Sequence, residues 1–306
     1  MTHVHSHDSD NRVLWAVLVN LGLTVAQFIG GVLAGSLALI ADALHNFSDA
    51  ISLIIAFGAR KIARRPGDSD MTFGYGRAEI VAALVNYTTL TVLGLYLIYE
   101  SVMRFIEPQG VDGWLVVIIA AVALVVDWIT ALLTYRLSKE SINIRAAFLH
   151  NVADALGSIA VIVAGTLIIV FGWTIIDPLI TLLIAGYVLF MSVKEGKGVV
   201  RMLMLAAPSG FDRDAVIDSL NALDGVVDVH HVHVWEIDER RISLEGHVVV
   251  SDDHWSHLAQ LKAHIRRCLK EDYHIEHSTI EFERIYEEAI CSTEYRKNNL
   301  PFPQIL

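Results

Sequence analysis

Six long apolar segments constrain the fold of this chain more than any other feature of its sequence. They lie near residues 13–34, 37–59, 79–103, 112–136, 146–171 and 175–195. Each has close to the roughly 20 residues that a helix needs to cross a bilayer. Because a chain in lipid must satisfy its backbone polar groups internally, these segments predict six transmembrane helices. The link at Gly35 and Ser36 is short enough to make the first two helices a tight hairpin.

The character of the chain changes near residue 200. A hydrophobic fraction of 54% and a mean hydropathy of +0.49 are high for a soluble domain, yet the net charge is −11. The charged part contains two alternating runs typical of strands, VVDVHHVHVWEI and ISLEGHVVVS, with a polar turn at Asp238–Arg241 between them. A helix that Ser209 or Asp212 can cap precedes them, and a helix and the run HSTIEFERI follow. This order predicts a small α+β domain of ferredoxin-like type.

The chain therefore divides into four predicted parts. They are a disordered His-containing N-terminus, a six-helix membrane domain, an α+β domain and a tail, at residues 1–12, 13–200, 209–286 and 287–306. The polar, acidic start shows no secretory signal. The two cysteines, Cys268 and Cys291, imply no disulfide framework. The acidic charge has the wrong sign for a nucleic-acid partner.

Basic residues in the links predict the orientation in the membrane. They follow the second, fourth and sixth segments: Arg60, Lys61, Arg64, Arg65, Arg77, Arg136, Lys139, Arg145, Lys194, Lys197 and Arg201. The opposite links contain none. By the positive-inside rule, both termini and the α+β domain are expected in the cytoplasm.

Two apolar segments repeat one His–Asp pair. His45 and Asp49 lie four residues apart in ADALHNFSDA, and His150 and Asp154 have the same spacing in FLHNVADALGS. Four residues are just over one helical turn, so each pair shares a helix face. Two such faces turned toward each other offer two nitrogens and two carboxylates, which suit a tetrahedral divalent metal.

The donor types indicate which metal and which counter-ion. Imidazole nitrogen favours Zn²⁺, Co²⁺ or Cd²⁺, and the lack of a sulfur donor argues against Cu⁺. Two carboxylates cancel the charge of the ion, whereas an empty site would be a costly buried double negative. Protons are therefore expected to replace the departing ion, most naturally on the imidazoles, which predicts metal/proton antiport.

Three more aspartates lie at or near membrane depth, where a charge costs at least about 2.5–3.5 kcal/mol. Asp177, beside Pro178 near an outer helix end, is interpreted as a helix-end contact. Asp127, in the middle of its segment, is either part of a proton path or a polar contact to a neighbouring helix. Asp42 lies three residues before His45 and is placed on the access route.

These motifs resemble the cation diffusion facilitator family, of zinc-transporter type. The resemblance rests on GGVLAGSLALIADALHNFSDA, FGYGRAEIVAAL, HNVADALGS and the HHVHVWEI strand, and it covers nearly the whole chain. It implies a homodimer in the lipid bilayer, not an enzyme, that exports Zn²⁺ from the cytoplasm in exchange for protons. The transport ligands would be His45, Asp49, His150 and Asp154. A bacterial inner membrane is the expected location, because the N-terminus is short and no long His-rich loop joins helices four and five.

The resemblance also implies further metal binding in the α+β domain. The matching positions are His231, His247, His257 and Glu283, and Cys291 lies where some animal members place a thiol. That metal would be either structural or regulatory.

Two other positions depart from bacterial relatives. The link between helices two and three keeps Asp68 but has Met71 and Tyr75 in place of two His ligands, so no metal site is expected there. Arg77 matches the basic half of a dimer lock, whereas Met204 stands at the acidic position.

The sequence is compatible to different degrees with three alternatives to a zinc exporter. An exporter with broader or different selectivity (Cd²⁺, Co²⁺ or Ni²⁺) has the same ligand chemistry. A non-transporting membrane metal sensor would use the α+β domain as its output, although it would not need a site at bilayer depth. An intramembrane hydrolase is disfavoured, because the sequence has no HExxH and four protein ligands would close the site.

Overall fold

The computed structural model describes residues 21–135 and 142–285. The predicted N-terminal segment and tail, with Cys291, lie outside the described residues. The chain divides into two compact units, one formed by residues up to 59 with 82–197, the other by 60–81 with residues from 198 onward. Each unit has its own buried apolar core.

The helical unit is built from six apolar helices. They are α1 (Leu21–Ala34), α2 (Leu37–Ala63), α3 (Ala78–Ile106), α4 (Gly113–Tyr135), α5 (Ile142–Phe171) and α6 (Ile176–Leu203). Five of them are long and apolar enough to cross a membrane, and α1 is described only from Leu21. The prediction of six transmembrane helices is confirmed.

Small residues let these helices approach closely. Ala38, Ala41 and Ala43 of α2 are at most 1% exposed. Where α4 and α5 cross, a Cβ added to Gly165 would lie 3.1 Å from the carbonyl oxygen of Gly113. Without a hydrophobic driving force between helices in lipid, such close packing is the main source of helix association. It brings the polar side chains of α2, α4 and α5 together.

The turn between α1 and α2 requires glycine. Gly35 has a φ of +68°, and a Cβ at this position would lie 2.6 Å from the carbonyl oxygen of Gly110. Both the left-handed backbone and the close approach favour a residue without a side chain. The predicted hairpin is therefore formed, with α1 ending at Ala34 and α2 starting at Leu37.

Asp177 at the start of α6 is fully buried against the start of α2. Its carboxylate accepts hydrogen bonds from Ser36 Oγ at 2.5 Å and from the backbone N–H groups of Leu37 and Ala38 at 2.7 and 3.3 Å. Arg104 Nη1 lies 3.7 Å from Asp177 Oδ2. Asp177 thus satisfies the free N–H groups of another helix, which agrees with its interpretation as a helix-end contact.

The α+β unit follows the predicted order of elements, with one short additional helix before the second predicted helix. These are α7 (Arg213–Asn221), β1 (Val226–Asp238), β2 (Arg241–Val250), α8 (Asp252–Trp255), α9 (Leu258–Glu271) and β3 (Ile275–Arg284). The sheet order is β1-β2-β3, with β1 and β2 antiparallel and β2 and β3 parallel. Apolar residues of α7 and α9 pack with those of the sheet in one core. The ferredoxin-like prediction is confirmed.

Two aspartates fix the local turns of this unit. Asp212 caps α7 by accepting a hydrogen bond from the Ala215 N–H at 3.0 Å. Asp238 accepts from the N–H groups of Arg240 and Arg241 at 3.0 Å, which closes the β1–β2 turn. Burial acts to raise the pKa of Asp238, but the Arg241 side chain and these backbone bonds hold that pKa below its ordinary value.

Candidate metal centres

Side chains of α2 and α5 converge at the predicted membrane site. His45 Nε2 lies 3.7 Å from Asp49 Oδ2, one turn further along α2, and 3.5 Å from Asp154 Oδ1 on α5. Their side chains are 20%, 30% and 11% exposed. An imidazole nitrogen between two carboxylates is a donor set that Zn²⁺ accepts. Three of the four predicted ligands therefore lie around one point.

The fourth predicted ligand, His150, lies on α5. Its backbone is helical and precedes Asp154 by four residues, just over one turn, while its side chain lies outside the described part of the chain. The helix confirms the local structure that the His–Asp spacing assumes. Ligation by His150 stays a prediction.

A buried polar network lies beside this site. Gln27 on α1 donates from Nε2 to Asp42 Oδ2 at 2.7 Å, and its Oε1 accepts from Asn46 Nδ2 at 3.4 Å. Ser158 on α5 donates to Asp127 Oδ2 at 3.1 Å. All five residues are less than 9% exposed. Sequence reasoning missed Gln27, although an amide inside an apolar segment is a usable signal.

A second cluster lies on the sheet of the α+β unit. His230, His247 and Glu283 each offer a ligand atom, and these atoms lie within 4.8 Å of one another. His230 Nε2 is 3.4 Å from Glu283 Oε2, and His247 Nδ1 is 2.5 Å from Glu283 Oε1. The register brings them together, since His230 pairs with His247 on β2 and Glu283 pairs with Val249, two residues further on. Two imidazoles and a carboxylate can hold a divalent metal.

A bulge decides which histidine of β1 reaches this cluster. The register shifts between His230 and His233, and His231 has a φ of 54°, in the left-handed region. The ring of His231 stacks on that of His247, with centroids 4.9 Å apart. Burial, followed by the fields of His247 and His233, lowers the pKa of His231. The cluster thus contains His230, whereas the resemblance assigns His231.

Another predicted residue of this site, His257, does not join the cluster. His257 precedes α9, and its Nδ1 lies 3.0 Å from Ser256 Oγ on the exposed surface. Among the described residues, the group within ligand distance is limited to His230, His247 and Glu283. Cys291 lies outside the described residues.

Comparisons with known proteins cover almost the whole chain. The cation efflux transmembrane domain family matches residues 13–204, and the cytoplasmic domain family of cation efflux proteins matches residues 208–285. The chain belongs to the cation efflux family. It is therefore a multi-pass membrane protein of a family of metal-cation transporters.

Curated relatives of this cation efflux protein are similar over most of their length. Zinc transporter ZitB of Escherichia coli is 36% identical, with 92% of this chain and 93% of the relative covered. The cadmium, cobalt and zinc/H(+)-K(+) antiporter of Bacillus subtilis is 36% identical over 82% of both chains. A solved structure, the metal-bound C-terminal domain of the CzcD transporter, is 27% identical and covers 24% of this chain and 99% of that domain, with a TM-score of 0.23.

In this cation efflux protein, Asp68 is held by its own loop. Its carboxylate accepts from the Met71 N–H at 2.8 Å, the Tyr75 hydroxyl at 2.7 Å and the Asp70 N–H at 3.0 Å. These hydrogen bonds lower the pKa of Asp68, and the bond from the Met71 N–H contributes most. Tyr75 and Met71 therefore act on Asp68 as hydrogen-bond donors, which gives it a structural role in the link.

Arg77 also has a structural contact within the α+β unit. Its Nε donates to the carbonyl oxygen of Ile237 at 3.0 Å, and Nη2 donates to that of Glu236 at 3.4 Å. Met204, at the position matched to an acidic partner, is 76% exposed. Arg77 thus fastens the link after α2 to strand β1 of the same chain.

The cluster predicts that the neighbouring histidines His230 and His231 differ in their contribution to zinc binding. His230→Ala is expected to weaken zinc binding at the cluster by at least about tenfold, because it removes a ligand. Loss of a residue that only hydrogen-bonds to a metal ligand already lowers metal affinity by about tenfold or more. His231→Ala, the matched control, is expected to have a smaller effect. Zinc affinity measured by chelator competition checks this, and a larger loss for His231→Ala would assign the ligand to His231 instead.

Proposed function

We propose that this protein exports Zn²⁺ from the cytoplasm in exchange for protons, with the ion held by His45, Asp49, His150 and Asp154. The convergence of His45 and Asp49 of α2 with Asp154 of α5 carries the proposal. This convergence lies inside apolar helices, where ionisable groups are costly and usually functional.

The donor chemistry supports this cargo. Two imidazole nitrogens and two carboxylates suit the tetrahedral preference of Zn²⁺, and the two carboxylates balance its charge. When the ion leaves, two buried carboxylates would remain without a partner, and proton uptake offsets that cost. Exchange of metal for protons therefore follows from the charge balance of the site.

The relatives support the same class of cargo. The Escherichia coli relative is named a zinc transporter, and the Bacillus subtilis relative is named for cadmium, cobalt and zinc and for proton and potassium exchange. The second name favours an alternative in which this chain also carries Cd²⁺ or Co²⁺. Both alternatives use the same ligands, since imidazole and carboxylate bind all three ions.

The assembly and location are part of the proposal. We infer a homodimer in a bacterial inner membrane. Both termini are placed in the cytoplasm, because basic residues lie at or just beyond the ends of the second, fourth and sixth apolar segments. In this orientation the α+β unit faces the cytoplasm. Zinc at His230, His247 and Glu283 would then report the cytoplasmic concentration or brace the domain.

Zinc flux into proteoliposomes with an imposed pH gradient tests the proposal. The native chain is expected to carry zinc at a rate that rises with the proton gradient and falls when nigericin collapses it. An unchanged rate after collapse would contradict proton exchange while leaving transport in place. Zinc binding without any flux would contradict export and favour the sensor.

A further inference from the structure

A small cavity lies between helix α9 and strand β3 of the α+β unit. Its lining residues are Lys262 and Arg266 of α9 and Ser278, Ile280 and Phe282 of β3. The cavity has a volume of about 70 Å³. Since one water needs about 10–15 Å³, this cavity has room for a group of about five non-hydrogen atoms.

The two faces of β3 carry different chemistry. The cavity residues of β3 alternate with Glu281 and Glu283, and alternate residues of a strand project to opposite faces. Carboxylate oxygens of Glu281 and Glu283 lie 3.6 and 2.5 Å from the ring nitrogens of His247, on the face that holds the zinc cluster. These two carboxylates therefore point away from the cavity and from the two cations of α9.

A row of cations follows the exposed side of α9. Lys262, Arg266 and Lys270 are exposed and lie four residues apart, and like charges at this spacing destabilise a helix. No acidic residue lies three or four positions from Lys262 or Arg266. Within the described ranges, neither of these two side chains has an ion-pair partner. The helix thus concentrates unpaired positive charge beside the cavity, in a chain whose net charge is −11.

The polar groups of the cavity are hydrogen-bond donors. Lys262 Nζ lies 4.7 Å from the centroid of the Phe282 ring, and this cation–π contact holds the ammonium group at the cavity wall. The guanidinium of Arg266 can donate two parallel hydrogen bonds to an oxyanion, and the Ser278 hydroxyl can donate a third. A phosphate monoester carries about 1.5–2 negative charges at pH 7, which matches two cations better than the single charge of a carboxylate or a phosphate diester.

We propose that Lys262, Arg266 and Ser278 form a binding site for a doubly charged phosphate group, either inorganic phosphate or a small phosphate monoester. The two cations balance the charge of the phosphate, and the hydroxyl donates to one of its oxygens. Ile280 and Phe282 supply an apolar wall for the organic part of a monoester. The ligand lies on the face of β3 opposite to the zinc cluster, so this site is separate from the proposed zinc ligands.

Titration calorimetry of the purified full-length protein with inorganic phosphate tests the site. The native protein is expected to bind phosphate, and Lys262→Gln or Arg266→Gln is expected to weaken binding at least about tenfold, because each removes a hydrogen bond between charged groups. Arg267→Gln is the matched control, since it removes the same charge from an exposed residue of α9 outside the cavity lining. A native protein that binds no phosphate, or an equal loss in the control, would overturn the proposal.

Ligands of different charge test the chemistry of the site. Glycerol phosphate, a monoester, is expected to compete with inorganic phosphate. Tighter binding of glycerol phosphate identifies a monoester as the ligand, and tighter binding of inorganic phosphate identifies the free ion. Dimethyl phosphate carries one charge and is expected to bind at least about tenfold more weakly, because one cation loses its charged partner. Equal affinity for dimethyl phosphate would contradict a site for a doubly charged group.

A variant without a change of charge separates the cavity from general electrostatic attraction. Ser278→Ala is expected to weaken phosphate binding at least about threefold, since it removes one hydrogen-bond donor. Native phosphate affinity in this variant would remove Ser278 from the site. Zinc affinity of the cluster of His230, His247 and Glu283 should stay native in every variant, which shows that the α+β unit remains folded.

Discussion

Asp154→Ala is expected to reduce zinc binding at the membrane site by at least about 100-fold and to stop zinc flux. Residues that hydrogen-bond to a metal ligand already contribute about 10–100-fold to metal affinity, and Asp154 belongs to the proposed ligand set itself. The variant also leaves one positive charge of the ion uncompensated among apolar helices, and each unpaired buried ion costs several kcal/mol. Asp49→Ala is expected to behave in the same way.

The measurement is zinc affinity of the purified full-length protein, combined with flux into proteoliposomes. Asp70→Ala is the matched control, because Asp70 is exposed in the link after α2 and lies outside the helical unit. The cluster of His230, His247 and Glu283 should still bind zinc in each of these variants. The affinity measurement should therefore show that one of the two kinds of zinc site is retained. Flux at the native rate in Asp154→Ala would show that the transport site lies elsewhere.

The membrane half of the fold could be predicted because its signal is local. An apolar run of helical length has one stable arrangement in lipid, and the His–Asp spacing on one helix follows from the helical repeat. Helix ends were less predictable: α6 continues beyond residue 195 to Leu203, past the charged residues Lys197 and Arg201. Hydropathy marks where a helix leaves the membrane, and it does not mark where the helix ends.

Contacts between distant segments could not be predicted. The bulge in β1 changes which histidine faces Glu283, and a one-residue shift in a strand reverses its faces. The sequence contains two adjacent histidines, His230 and His231, and does not indicate which residue of β1 is the additional one in the bulge. In the same way, the pairing of Gln27 with Asp42 depends on how α1 packs on α2, which apolar segments alone do not encode.

Asp177→Ala is expected to destabilise the helical unit by about 3–5 kcal/mol, which is typical when one partner of a buried charged pair is removed. The variant removes the buried carboxylate beside Arg104, whose side chain is 11% exposed, and leaves it only the half-buried Glu100, with Oε1 3.9 Å from Arg104 Nε. It also removes the acceptor for the N–H groups of Leu37 and Ala38 and for the Ser36 hydroxyl at the start of α2. At roughly 2–4 °C per kcal/mol, the apparent melting temperature should fall by about 6–20 °C.

A second substitution separates the lost hydrogen bonds from the unpaired charge. Arg104→Met in the Asp177→Ala background removes the charge and is expected to restore part of the lost stability, although the acceptor for α2 stays absent. Thermal unfolding of the purified protein in detergent compares the single and double variants. Equal melting temperatures would mean that Arg104 does not depend on Asp177. Zinc affinity of the folded protein should stay native in both variants. The carboxylate of Asp177 contacts the first residues of α2 and Arg104, and neither belongs to the proposed zinc ligands.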